Sequence, residues 1–230
     1  MNEVSANTYL RTLKAAFNTA VRLNLLRENP FKNCRLLRIP AKEPAYIRKE
    51  EFATFLSVVR DDWLRHLVMV AALTGMRRGE LISLRWRDVD LRNRLIHIRN
   101  KDDFTVKGMR PRSIPINRDL LAIILRMPRG SEFLLVDARG NPLNGSVVTK
   151  KFKQAVTASG LPDGIHFHSL RHSYASWLVQ SSTPLAEVQR LLGHTSVVTT
   201  QIYSHLEEEH LRNAADRIRL EDFTPKGLLQ

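Results

Sequence analysis

Cysteine and long apolar runs are what this 230-residue chain most lacks. A single cysteine, Cys34, excludes an intramolecular disulfide and a multi-cysteine zinc site, and it fits a reducing compartment, with the cytoplasm as the expected location. No stretch reaches the roughly 18–20 apolar residues that a bilayer crossing requires, and Met1-Asn2-Glu3 lacks the charged-then-apolar pattern of a signal peptide. Membrane and secreted proteins are therefore not expected. Phosphate loops of the form G-x-x-x-x-G-K-[ST] or G-x-G-x-x-G are absent, so nucleotide-driven chemistry is not indicated. Acidic residues are also short: 23 Asp and Glu against 36 Lys and Arg leave a net charge of +13. Such a field attracts polyanions, and nucleic acid is the commonest soluble one. The excess is spread along the chain, since Met1–Glu43 carries eight bases against three acids and the remainder is basic as well.

What is present is ordinary globular material. Hydrophobic residues at 43% and charged residues at 26% sit near globular averages, and a length of 230 residues suits one catalytic-sized domain with a short appendage. Ser5 is a candidate cap for a helix in which Leu10, Leu13, Phe17 and Val21 form one stripe, ending before Asn29-Pro30. The segment from Phe31 to Tyr46 has no period and reads as a basic linker, which sets a boundary near Glu43. Phe52, Phe55, Leu56 and Val59 mark a second helix, and Asp61 or Asp62 caps a third that runs to Gly75. Extended runs are expected at Arg94 to Arg99, Arg112 to Ile116 and Phe133 to Val136, enough for a small sheet. Helical patterns return at Asp119 to Leu125, Ser146 to Ala158, His168 to Gln180, Pro184 to Leu192 and Leu206 to Ile218.

Phosphodiester chemistry without a metal needs cations for the non-bridging oxygens, an acid for the leaving oxygen and a nucleophile. Candidates lie in separate places. Thr74-Gly75-Met76-Arg77-Arg78-Gly79-Glu80 falls between two helical patterns, where a tight turn aims an arginine inward; chemistry alone does not separate Arg77 from Arg78. His168-Ser169-Leu170-Arg171 puts two polar groups on one helical face. Gly193-His194 closes a helix, and Tyr203 follows nine residues later. Each residue alone has a plain structural explanation: a buried ion pair, a capping histidine, a packed phenol.

Taken together, these segments, with Leu191-Leu192-Gly193-His194 and Thr199-Thr200-Gln201-Ile202-Tyr203-Ser204-His205, resemble the tyrosine recombinase (phage integrase) family in order and spacing. Lys107-Gly108-Met109-Arg110-Pro111-Arg112-Ser113-Ile114-Pro115 resembles that family's hairpin, with Lys107 as its lysine. The resemblance implies a mostly helical α+β catalytic domain with a small antiparallel β-sheet, the fold of DNA breaking-rejoining enzymes, over Pro44–Gln230. It implies that Met1–Glu43 is the remnant of a helical core-binding domain plus a basic linker. The implied reaction is transesterification of double-stranded DNA, in which the Tyr203 hydroxyl attacks a phosphate to form a 3′-phosphotyrosyl link and release a 5′-hydroxyl. Arg77 and Arg171 would hold the phosphate oxygens with forked donors, and His194 would add a hydrogen bond. His168 would take the phenol proton, and Lys107 would protonate the leaving 5′-oxygen. Glu80 would orient Arg77, with His168 as a second candidate for its hold. No cofactor, metal or ATP is implied, because the phosphotyrosine stores the bond energy. Four protomers on two DNA sites are the expected recombining assembly and a monomer the expectation without DNA. The sequence leaves the oligomeric state open, as it does whether the Leu206 to Ile218 helix packs on its own domain or on a neighbour.

Three rival functions share parts of this pattern. His168-x-x-x-His172 has the spacing of a helical zinc pair, but Ser169 replaces the glutamate such a hydrolase uses and Arg171 would sit beside the metal. A DNA-binding module without catalysis would share the basic surface. A type IB topoisomerase would share the tyrosine chemistry, though the Leu-Gly-His and His-x-x-Arg segments resemble integrases more.

Overall fold

Helix α1 (Glu3–Arg22) begins earlier than Ser5 suggests, because Asn2 is the cap: its side chain accepts from the Ser5 N–H at 2.9 Å, leaving Ser5 inside the first turn. It ends before Asn29-Pro30, as expected: Leu23 closes the helix and Asn24 turns into the left-handed region at φ 57°. The computed structural model describes residues 2–40, 44–100, 111–194 and 198–204. Lys107 and the helix expected over Leu206 to Ile218 lie outside the described residues. The chain divides into two compact units, Met1–Glu43 and Pro44–Gln230.

In the first unit, two buried asparagines tie the irregular tail back onto α1. Asn7 exchanges two hydrogen bonds of 2.8 Å with the backbone of Leu37, as a peptide group would in a sheet. Asn29 donates to the Lys14 carbonyl and to Asn18, and accepts from the Phe31 N–H. The apolar stripe expected on α1 is half-buried at Leu10, Phe17 and Val21, with Phe17 meeting the Phe31 ring at 5.1 Å, while Leu13 is 41% exposed.

The second unit is built on helix α3 (Asp62–Thr74), which buries Leu64, Leu67, Val68, Val70, Ala71 and Ala72. A fully buried leucine or valine of this kind contributes ~1.5–3 kcal/mol of burial. α3 packs on α7 (Ser169–Gln180), which also supplies Ser173 to the segment ahead of α2. Ahead of α3, helix α2 (Lys49–Ser57) is anchored at its entry: Ile47 N–H donates to Ser173 Oγ and Ile47 C=O accepts from Trp177 Nε1. A one-turn helix α4 (Arg78–Ile82) follows the left-handed cap at Gly75, φ +61°.

The sheet is antiparallel and three-stranded among the described residues, in the order β1 (Val89–Asp90), β2 (Leu95–Ile98), β3 (Arg112–Pro115). Ile96 faces Ile114 across the register, and both are fully buried. The third strand is not the expected Phe133 to Val136 run. That segment makes only isolated bridges, Arg85 with Phe133 and Val136 with Pro142. Leu134 and Leu135 are both buried, which breaks the inside-outside alternation of a strand. The two-residue Val89–Asp90 strand takes its place; it is too short to show a period. Helices α5 (Arg118–Leu125), α6 (Gly145–Ala158), α8 (Leu185–Leu192) and the short α9 (Val198–Gln201) are the unit's other helices among the described residues. No helix among the described residues is long and apolar enough to cross a membrane.

Candidate active site

The ends of these elements converge on Glu80. Its carboxylate is buried, with 1% of the side chain exposed, and accepts the Arg77 N–H at 2.8 Å and Arg77 Nη1 at 3.1 Å. It also holds a forked pair from Arg112 on β3, Nη1 to Oε1 at 2.9 Å and Nη2 to Oε2 at 2.7 Å. Burial alone would raise the Glu80 pKa, but the hydrogen bonds and charge of Arg112, followed by those of Arg77, overcome it and hold the carboxyl below 4.5. Arg77 is the cap residue of α4 and keeps 23% of its side chain exposed, whereas Arg78 points to Thr149 and the Gly145 carbonyl of α6. This separates the two arginines that chemistry alone could not.

Arg171, on α7, is 3% exposed and spans two helix ends. Nη1 donates to the Gly75 carbonyl at the end of α3, and Nη2 to the Leu192 carbonyl at the end of α8, both at 2.7 Å. A cation at two helix C-termini satisfies orphan carbonyls and meets both dipoles favourably. Burial and the charges of Arg77 and Arg112 lower its pKa to about 9, so it stays charged at neutral pH.

Tyr203 is 1% exposed, and its hydroxyl lies 2.6 Å from His172 Nδ1. Burial, opposed by Arg171, pushes the phenol up to about 12. Burial, then the neighbouring His168, Arg171 and His166, lower His172 to about 4. A protonated phenol therefore faces a neutral imidazole, and with the imidazole hydrogen on Nε2 the phenol donates to Nδ1. His168, the expected base, is exposed at the start of α7, its ring edge-on to His172 with centroids 5.0 Å apart. His194 follows the left-handed Gly193, and its Nδ1 lies 2.9 Å from Thr200 Oγ1. Burial and the charges of Arg171, Arg77, His172 and Arg112 lower His194 to about 4. It also lines a cleft of about 560 Å³ between β3 and α8.

Arg77, Arg171, His194 and Tyr203 thus share one electrostatic neighbourhood, with His168 at its edge through His172. Sequence reasoning did not assign His172 and Arg112 to the site. The signal for His172 was its four-residue spacing from His168, read only as a zinc pattern; that for Arg112 was its place at the hairpin end. Among the described residues no three His, Cys, Asp or Glu side chains converge as a metal cluster would.

A helical domain with a small antiparallel sheet, gathering two arginines and two histidines around a buried tyrosine, has the build of a tyrosine recombinase catalytic domain. The chain belongs to the phage integrase family, whose model matches residues 45–210, and is thereby an enzyme of site-specific DNA recombination. The tyrosine recombinase XerC of Xanthomonas axonopodis pv. citri (strain 306) is 30% identical over 225 residues, 93% of this chain and 72% of that protein. XerC of Escherichia coli O6:K15:H31 is 32% identical over 218 residues, 90% and 71% respectively. The Tn1549 transposon integrase in complex with circular intermediate DNA shares the fold with TM-score 0.77 at 22% identity, covering 95% of this chain and 80% of that one. A lambda integrase dimer bound to a COC′ core site gives 0.70 at 24%, covering 86% and 74%.

Proposed function

We propose that the chain cuts and rejoins duplex DNA through a 3′-phosphotyrosyl link at Tyr203, with no metal or ATP. The observation that carries this reading is the Tyr203 hydroxyl held 2.6 Å from a neutral imidazole beside the buried Arg171. The DNA named in the integrase structures similar to this chain supports duplex DNA as its substrate. Arg77 and Arg171 bind the non-bridging oxygens, and His194 adds a hydrogen bond that strengthens as charge develops. The phenol oxygen attacks phosphorus, its proton passes to His172, and the bond to the 5′-oxygen breaks. Lys107 protonates that oxygen. A second 5′-hydroxyl then attacks the phosphotyrosine, and the phenol recovers its proton.

The base role expected for His168 passes first through His172, with His168 edge-on to it on the exposed side. Because Tyr203 is 1% exposed, its ring turns outward to meet a bound phosphate. In this reading Met1–Glu43 is the last helix and basic linker of a DNA-clamping region, and exchange requires four protomers on two sites.

The test is covalent capture. A pool of nicked duplexes with randomised cores, incubated in chelator, yields a denaturant-resistant protein-DNA adduct, and Tyr203→Phe removes it. An adduct that survives in Tyr203→Phe sinks the assignment of the nucleophile. DNA binding with no adduct favours the non-catalytic module.

A further inference from the structure

We infer that Arg112 is a positioning residue for strand transfer: by neutralising Glu80 it leaves the Arg77 guanidinium available to the phosphate. The inference rests on the proposed reaction and adds to it a residue whose work is done through another.

The argument begins with the carboxylate. A carboxylate with 1% exposure is sustained only by partners that offset its lost hydration. Two arginines meet it, unequally. Arg112 gives a forked pair at 2.9 and 2.7 Å and is 8% exposed, whereas the Arg77 guanidinium gives one contact at 3.1 Å and is 23% exposed. One carboxylate cannot cancel two guanidinium charges, so the trio carries a net positive charge, and that charge resides on the more exposed arginine. Without Arg112, Glu80 would draw Arg77 into the fork and cancel the cation that a phosphate needs.

A second observation places Arg112 under the histidine limb of the site. Gly193 sits at φ +66°, and a Cβ there would come within 2.5 Å of Arg112 Cδ and 2.9 Å of Arg112 Nε. The turn that delivers His194 is therefore packed on the Arg112 side chain. Arg112 Nε is buried without a hydrogen-bond partner among the described residues, a cost tolerated where this packing holds the group. Arg112 thus touches the start of α4 and the end of α8 from β3, and it lies five residues after Lys107 in the chain.

The experiment measures single-turnover adduct formation on the captured nicked duplex, and DNA affinity separately. Arg112→Met keeps the bulk of the side chain and removes the charge; its adduct rate is expected to fall about 10- to 100-fold, as for groups that orient a directly acting residue, with little change in affinity. Replacing Glu80 by glutamine in that background removes the stranded charge while keeping an oxygen for the Arg77 N–H. The double variant Arg112→Met, Glu80→Gln is expected to recover about tenfold of the lost rate. Arg112→Lys, which retains charge without the fork, falls between wild type and Arg112→Met and serves if the methionine variant does not fold. A double variant as slow as Arg112→Met or slower overturns the inference, because a purely structural role predicts that result. So does an unchanged rate in Arg112→Met while wild type forms the adduct, an outcome that leaves the proposed reaction standing. Absence of the adduct in wild type overturns the reaction and the inference with it.

Discussion

Two imidazoles stay neutral beside arginine charges, and this has a price in acid. His172 and His194 are lowered to about 4 from an ordinary 6.5, chiefly by burial. Above pH 6.5 both are neutral whether the chain is folded or unfolded, and stability is unaffected. Between 6.5 and 4 the unfolded chain takes up protons that the folded chain refuses, so stability falls as the pH falls. Urea midpoints measured from pH 7 to pH 5 are expected to decline, and His172→Gln with His194→Gln removes the larger part of that slope. His66, also lowered by burial, keeps part of the remainder. A slope unchanged in the double variant contradicts this assignment. The same two histidines mark what sequence could reveal. His194 is legible because Leu-Gly-His is contiguous. His172 is not, because its partner Tyr203 lies 31 positions away, and whether His168 or His172 meets it depends on how α8 and α9 fold back. Arg112 is hidden for a similar reason: nothing local distinguishes an ordinary strand arginine from one paired with a carboxylate 32 positions earlier.

Among elements, the close meeting of α3, α7 and α8 depends on a glycine. Gly75 ends α3 at φ +61°, and a Cβ there would lie 2.4 Å from Tyr174 Cδ1 and 2.9 Å from Leu192 Cδ2. Its carbonyl is also one of the two that Arg171 holds. Gly160, at φ +72°, has nothing within 4 Å of the same position. Gly160→Ala therefore isolates the backbone penalty, about 1–2 kcal/mol, while Gly75→Ala adds an overpacking cost of about 1–3 kcal/mol. Chemical denaturation of the two variants should separate by that added amount, and equal losses would show that α7 and α8 yield without strain. Sequence anticipated this helix end, since Gly75 follows the last apolar residues of α3 as a left-handed cap usually does. The long helices were legible on the same grounds, their apolar spacing being sustained over several turns. The sheet was legible only in part. β2 and β3 show alternation, but a two-residue strand has no period, and Phe133 to Val136 shares β-favouring composition while packing two successive leucines inward.

At the scale of the molecule, charge and chemistry are separable. The net +13 attracts a duplex whatever its sequence, whereas in the proposed reaction cleavage depends on the few groups around Tyr203. Each phosphate neutralised by a lysine or arginine contributes about −0.9 to the slope of log affinity against log salt, so six such contacts give a slope of about −5. Raising salt from 50 to 200 mM should then weaken duplex binding on the order of 10³-fold, read by anisotropy of a labelled duplex. Tyr203→Phe should leave this slope unchanged while abolishing the adduct, because a buried neutral phenol neutralises no phosphate in the encounter. Neutralising Arg35 and Arg38 in the basic tail of the first unit, by Arg35→Gln and Arg38→Gln, should reduce the slope by about 0.9 for each that meets a phosphate. With the slope intact in those variants, the tail takes no part in gripping DNA, and the second unit holds the duplex with its own cations.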